Sequence, residues 1–289
     1  MAMTLGFFFI IMAMAFICEF FDSSLGMGYG TILSPILVVL GFDPLFVVPA
    51  LLISQAMGGF TASMFHQRLR NASFSKKSKD LRNFLIITIF GCLATIIGAV
   101  VAISIPQIVL TTYIGALVLA MGILIIIRLS FRFSYVNILI VGIVSAFNKS
   151  LSGGGYGPIV TSGQIIGGHT PKRSVGVTTL AEAPICIVGF LAYIIAKLIK
   201  QGKGAFFARP VDDIVTSIFS PALLRWDLIV ALVIGAMLIA PLGPRLTKAI
   251  HREKWNYVLG PIMIVLGTLV LLKNLLTLLN VEGLPKISI

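Results

Sequence analysis

Long apolar runs, separated by short polar or basic segments, make up the hydrophobic pattern of this chain. Between Arg82 and Arg128 lie 45 residues, Asn83 to Ile127, without a charge. A membrane-crossing helix needs about 20 apolar residues, so this stretch holds two. The runs predict full spans at 45–66, 84–104, 107–127, 174–196, 227–243 and 256–279. Two further runs are each interrupted by glycines. One reads as arms 5–21 and 31–41 around Gly26–Gly30, the other as arms 134–150 and 158–167 around Gly153–Gly157. Polar turns close them, Gly41-Phe42-Asp43-Pro44 and Gly168-His169-Thr170-Pro171. Their second arms, 11 and 10 residues long, are too short to cross unaided, which predicts two hairpins.

The two interrupted runs are one element written twice. A constant shift of 127 pairs Ser23 with Ser150, Gly26 with Gly153, Gly28 with Gly155, Tyr29 with Tyr156, Gly30 with Gly157, Gly41 with Gly168 and Pro44 with Pro171. It also pairs Asp22 with Lys149 and Gln55 with Glu182. Glycine lets a backbone leave the helix at little steric cost. In hydrocarbon the freed polar groups are tolerated only where they are buried in protein or line a cavity. Matching glycine breaks in two halves point to the binding site of a transporter. The chain accordingly divides into repeats 1–132 and 133–289.

Composition and charge fix the class and the orientation. Of 289 residues, 58% are hydrophobic and 11% charged, against about 25% charged in a soluble domain. The expected fold is an all-α polytopic membrane protein; the alternating ten-residue segments of a β-barrel are absent. The net charge of +12 sits mostly in loops, where it orients spans, and so argues against nucleic acid as a partner. Loop 67–82 carries Arg68, Arg70, Lys76, Lys77, Lys79 and Arg82; loop 128–132 carries Arg128 and Arg132; loop 244–255 carries Arg245, Lys248, Arg252 and Lys254. All three are assigned to the cytoplasm. Parity then requires each interrupted run to enter and leave on one face, the first from outside and the second from the cytoplasm. Each half becomes one re-entrant hairpin plus three crossings, and the halves are inverted. The N-terminus is external; it lacks a basic n-region and reads as a first membrane segment. Loop 197–225 runs against this scheme, because it is external yet carries Lys197, Lys200, Lys203, Arg209 and Arg225.

Charges within the apolar segments are few: Glu19, Asp22, Lys149 and Glu182. Such residues are expensive in a membrane and mark functional sites by default. The short arms begin at Gly30-Thr31 and Gly157-Pro158, where free helix N–H groups favour anions. The candidate substrate-binding set is Lys149, Ser150, Ser152, Gly153, Gly154, Gly155, Tyr156 and Gly157 in the second half, with Ser24, Gly26, Gly28, Tyr29, Gly30 and Gln55 in the first. Asn148, Thr161 and Ser162 are further polar donors nearby. Lys149 reads either as an anion ligand or as an ion-pair partner of Asp22 or Glu182. Glu182 and Asp22 are candidate proton carriers. Tyr29 and Tyr156 either cap a substrate or pack the hairpins. Cys18, Cys92 and Cys186 read as buried packing residues. His66, His169 and His251 do not cluster, so no metal site is expected. No cofactor motif and no hydrolase or nucleotide-binding signature is present.

Two copies of Gly-x-Gly-Tyr-Gly, each followed by a turn proline and an apolar span, resemble the TauE/SafE sulfite exporter family, also called toluene sulfonate uptake permeases. The resemblance covers about residues 5–279. It implies an inner-membrane transporter for sulfur-containing anions such as sulfite, sulfoacetate or other organosulfonates. The polar residues add the expectation of alternating access at the midplane between the two hairpins, with protons as the coupling ion through Glu182 or Asp22. Met27 departs from the pattern, standing where the second copy has Gly154. The alternatives are an uncoupled anion or solute channel and a non-transporting scaffold. Small residues along 84–127 would permit a homodimer.

Overall fold

A computed structural model of the protein describes residues 3–76, 78–127, 135–166, 168–202, 211–247, 249 and 252–279. Twelve helices follow in order among the described residues: α1 (Leu5–Leu25), α2 (Tyr29–Val39), α3 (Pro44–Arg68), α4 (Lys79–Ser104), α5 (Gln107–Ile127), α6 (Tyr135–Ser152), α7 (Tyr156–Ile166), α8 (Pro171–Gly202), α9 (Val211–Phe219), α10 (Trp226–Ile239), α11 (Gly243–Leu246) and α12 (Arg252–Leu278). Seven segments are long and apolar enough to cross a membrane: α1, α3, α4, α5, α8, α10 with α11, and α12. The short loop 128–132, along with Lys77, Lys203, Arg209, Lys248 and His251, lies outside the described residues.

Local sequence explains the helix starts. Asp43 accepts a hydrogen bond from the Leu45 N–H at 2.8 Å, and Pro44 fills the first turn of α3. Ser78 caps α4 by accepting from the Leu81 N–H at 3.1 Å. The boundaries themselves repeat. Both α2 and α7 are 11 residues long and start 127 apart; α3 and α8 start at Pro44 and Pro171; α1 and α6 stop at Leu25 and Ser152. The six glycines with positive φ, namely Gly26, Gly28, Gly41, Gly153, Gly155 and Gly168, fall into three pairs with the same separation.

Four pairings organise the bundle. Helices α3 and α8 lie antiparallel at its centre, with Gly59 against Thr179 and Leu52 against Gly189. Helices α5 and α12 also pair antiparallel, Gly115 meeting Leu271 and Gly122 meeting Ile264. Helix α1 runs alongside α10, and α6 alongside α4, so each long arm packs on a helix of the other half. Within each broken segment the two arms come together. Phe7 stacks on Phe42 with ring centroids 5.9 Å apart. At the opposite end, Val141 packs on Gly163, and His169 lies 3.1 Å from Asn83 at the start of α4. Large apolar side chains such as Leu93, Ile97, Leu238 and Val265 cover the outer surface.

Several details differ from the sequence reading. Helix α1 has 21 residues, ~31 Å of rise, and so is long enough to cross by itself, whereas α2 reaches only ~16 Å. The connection 197–225 is not all loop: α8 continues to Gly202, and α9 lies within it. Lys197 and Lys200 are held by backbone carbonyls. Lys197 donates to Leu223 O at 2.8 Å, and Lys200 donates to Ile103 O in the last turn of α4 at 2.8 Å. Lys200, at the C-terminal end of α4, answers the negative end of that helix's dipole, while Lys197 binds a turn carbonyl. These two charges are consumed by the fold and say little about which side the connection faces. The glycines of 84–127 face neighbours within the chain, Gly91 and Gly98 against α6 and α8, Gly115 and Gly122 against α12, so they are not a free dimer surface.

Candidate functional site

The two glycine breaks cross. A Cβ on Gly30 would fall on the carbonyl oxygen of Gly153, and a Cβ on Gly157 would fall on the carbonyl oxygen of Gly26. Gly154 is pressed against Thr31, whose Cα would lie 2.8 Å from an added Cβ. Met27, its repeat mate, is fully buried, and its Cα lies beside Gly157. The backbones thus touch directly where each helix breaks.

Each break is capped by the other. Ser34 of α2 donates to Ser152 O, the last residue of α6, at 2.5 Å. Thr161 of α7, its repeat mate, donates to Gly26 O, just beyond α1, at 2.8 Å. The Gly155 N–H donates to Thr31 Oγ1 at 3.0 Å. Backbone groups freed by broken helices at membrane depth need such partners. A second tie holds each long arm: His66 Nε2 donates to Ser23 O at 3.0 Å, and Tyr193 OH donates to Ser150 O at 2.8 Å. His66 and Tyr193 are themselves 127 apart. Because Ser23 O can only accept, His66 carries its proton on Nε2 and its Nδ1 accepts from Asn71 at 3.1 Å. Tyr193→Phe removes one buried bond and leaves Ser150 O short of a donor. It should cost about 1–2 kcal/mol, read as a lower melting temperature in detergent.

Beside the crossing runs one buried polar chain. Lys149 Nζ pairs with Glu182 Oε1 at 2.8 Å, with the side chains 1% and 3% exposed. The same ammonium donates to Gln55 Oε1. Gln55 Nε2 donates to Asp22 Oδ2 at 3.1 Å, and Asp22 Oδ1 accepts from the Tyr29 N–H at 3.2 Å. Each half contributes one pair, Asp22 with Gln55 and Lys149 with Glu182, and the Lys149–Gln55 bond joins the halves. The pairs are chemically unlike. Asp22 places a carboxylate on the N-terminus of α2, where the helix dipole favours it. The matching position before α7 holds a cation.

The other candidates are buried nearby in supporting roles. Ser152 Oγ donates to Asn148 O at 2.7 Å and accepts from the Gly154 N–H at 3.1 Å. Ser150 Oγ donates to Phe147 O at 3.0 Å. Ser24 is buried, and its hydroxyl has no partner among the described residues. Asn148 accepts from Tyr113 OH. Tyr29 OH shares a 2.8 Å hydrogen bond with Ser54. Tyr156 OH has no partner among the described residues. Gly28 and Gly155 carry the positive φ that starts each short helix. The ties made by His66 and Tyr193 escape sequence reasoning, since histidine and tyrosine share no residue type; only the 127 register could have paired them. No cluster of three or more metal-ligating side chains occurs among the described residues.

The family described as "Sulfite exporter TauE/SafE" matches residues 11–270. The chain is also similar to the "Probable membrane transporter protein YtnM" of Bacillus subtilis (strain 168), with 21% identity over 274 residues, covering 91% of this chain and 79% of that protein. No solved structure matches. A match over nearly the whole length, together with seven membrane-length helices, makes this chain a multi-pass membrane protein that belongs to the sulfite exporter TauE/SafE family.

Proposed function

We propose that the protein is a secondary transporter of sulfur-containing anions such as sulfite, sulfoacetate or other organosulfonates, anchored on Lys149 and reached alternately from the two faces. The family and the YtnM relative support a membrane transporter. The observation that carries the anion reading is the buried Lys149 ammonium at the crossing of two broken helices. The α2 N-terminus already holds the carboxylate of Asp22, so an incoming anion meets its cation in the second half. Substrate contacts then come from the crossing residues around Lys149, from Ser150 to Gly157 on one side and from Ser24 to Gly30 with Gln55 on the other.

The same reading takes repeats 1–132 and 133–289 as inverted in the membrane, with the N-terminus outside the cell. Three features support this: the antiparallel α3–α8 pair, the parallel runs of α1 with α10 and of α6 with α4, and the meeting of the two arms within each broken segment. A homodimer, where formed, uses surfaces other than the α4 and α5 glycines.

Charge gives a reason for proton coupling. With Asp22 and Glu182 ionised and Lys149 positive, this buried polar cluster already carries one net negative charge. An anion that takes Lys149 from Glu182 leaves that carboxylate buried and unpaired, a costly state unless a proton neutralises it. Glu182, and Asp22 beyond Gln55, are the groups placed to accept it.

Purified protein in liposomes should take up sulfoacetate saturably and show counterflow against a trans-side load. Flux that stays linear with concentration and lacks counterflow would establish the channel alternative instead.

A further inference from the structure

Glu19 takes no part in the polar chain. It lies on α1 one turn before Asp22 and is fully buried. Neither carboxyl oxygen has a hydrogen-bond partner among the described residues. Room for it comes from Gly58 on α3: a Cβ there would lie 3.1 Å from the Glu19 carboxyl carbon and 3.1 Å from Ala236 Cβ on α10.

The second half shows whether the packing needs a polar group at this place. The 127 register matches Glu19, Ser54 and Gly58 with Ala146, Ala181 and Ile185. In that half, Ile185 and Ala146 close against Gly91 of α4, within one apolar cluster that also holds Tyr156 and Ala181. The same junction of a long arm, a central helix and a helix of the other half is therefore sealed by hydrocarbon. In the first half three apolar positions have become a carboxyl group, a hydroxyl group and a gap. Tyr29 finds Ser54 there, whereas Tyr156 finds nothing.

The groups that act electrostatically on Glu19 come from four helices: Cys18 and Asp22 on α1, Tyr29 on α2, Lys149 on α6 and Glu182 on α8. From α3 the residue beside it is Gly58, with Ser54 bonded to Tyr29, Gln55 to Asp22 and Lys149, and His66 turned to Ser23 O; from α10 Ala236 packs at the same glycine. The ammonium of Lys149 is committed to Glu182 and Gln55. A lone carboxylate in this setting has neither a donor nor a counter-ion, and such groups hold a proton in preference to a charge.

We infer that Glu19 is a resident proton-binding site, separate from the Lys149–Glu182 ion pair and one helical turn from Asp22. In the conformation described here its carboxyl is neutral. Loss of one proton gives the carboxylate when a conformational change brings water or the freed Lys149 ammonium to it. Its coupling role rests on the transport reading above; its proton occupancy does not.

Two measurements separate these. Infrared spectra of lipid-reconstituted protein should contain a protonated-carboxyl C=O band at neutral pH that Glu19→Gln removes. Identical carboxyl regions in the two proteins would overturn the proton site, whether or not the protein transports anything. In liposomes, the ratio of pH-gradient-driven sulfoacetate accumulation to sulfoacetate exchange should collapse in Glu19→Gln towards the value without a gradient. A lost band with an unchanged ratio would overturn the coupling role. Absence of any sulfoacetate flux in the unaltered protein counts against the transport reading, and the infrared band then decides Glu19 by itself. Glu19→Met, which fills the space and demands no hydrogen bond, serves both measurements if Glu19→Gln does not fold.

Discussion

Gly30→Ala and Gly157→Ala should each destabilise the protein by about 3 kcal/mol or more, enough to abolish recovery of folded material. An extra methyl group in a close-packed interior usually costs about 1–3 kcal/mol, because neighbouring side chains give way. Here the obstacle is a carbonyl of the opposite break, which cannot move without opening the crossing. Neither glycine has a positive φ, so the demand is for closeness of approach rather than for backbone conformation. Gly6→Ala is the control, since no atom lies within 4 Å of the added carbon. Yield and melting temperature in detergent should separate the three variants, with Gly6→Ala unchanged. A Gly30→Ala protein that melts like the parent would mean that the breaks do not touch.

Lys149→Ala should abolish transport and also destabilise, by about 3–5 kcal/mol, because it leaves Glu182 buried without its counter-ion. The two effects can be separated. Lys149→Met combined with Glu182→Gln removes both charges at nearly constant volume, and replacement of a buried ion pair by neutral groups is often neutral or stabilising. The double variant should regain the melting temperature and remain inactive. Restored transport in that variant would show that Lys149 is there for packing alone. A single variant that stays stable yet inactive would instead mean that Glu182 has another partner or takes a proton.

Much of this arrangement is legible in the sequence, and the reason is the repeat. The 127 shift locates both breaks, both turn prolines and the four residues of the polar chain before any coordinate is known. Glu182 and Lys149 stand out because charge is rare in apolar runs. The joins between the halves are hidden. Nothing in the sequence says that Gln55 bridges Lys149 to Asp22, because that contact spans 94 positions and depends on how two helices cross. Ser34 and Thr161 look like ordinary small polar residues, although each closes a break in the other half. The lysines of α8 mislead for a different reason. Charge counting takes a lysine as solvated, and Lys197 and Lys200 are spent on backbone carbonyls. Helix α9 is missed because the acidic pair Asp212-Asp213 resembles a loop, while it equally suits the first turn of a helix.

The reciprocal caps bear on how the protein is made. When residues 1–132 have left the ribosome, the end of α1 still lacks Thr161, Gln55 lacks Lys149, and Ser34 has no carbonyl to close. Helix α1 also waits for α10, nearly the last span to be synthesised. The first half therefore enters the bilayer with its break open and Gln55 Oε1 without its ammonium donor, and both wait for the second half. The reciprocal caps make the two halves dependent on each other, so neither break can be fully closed before both are in the bilayer.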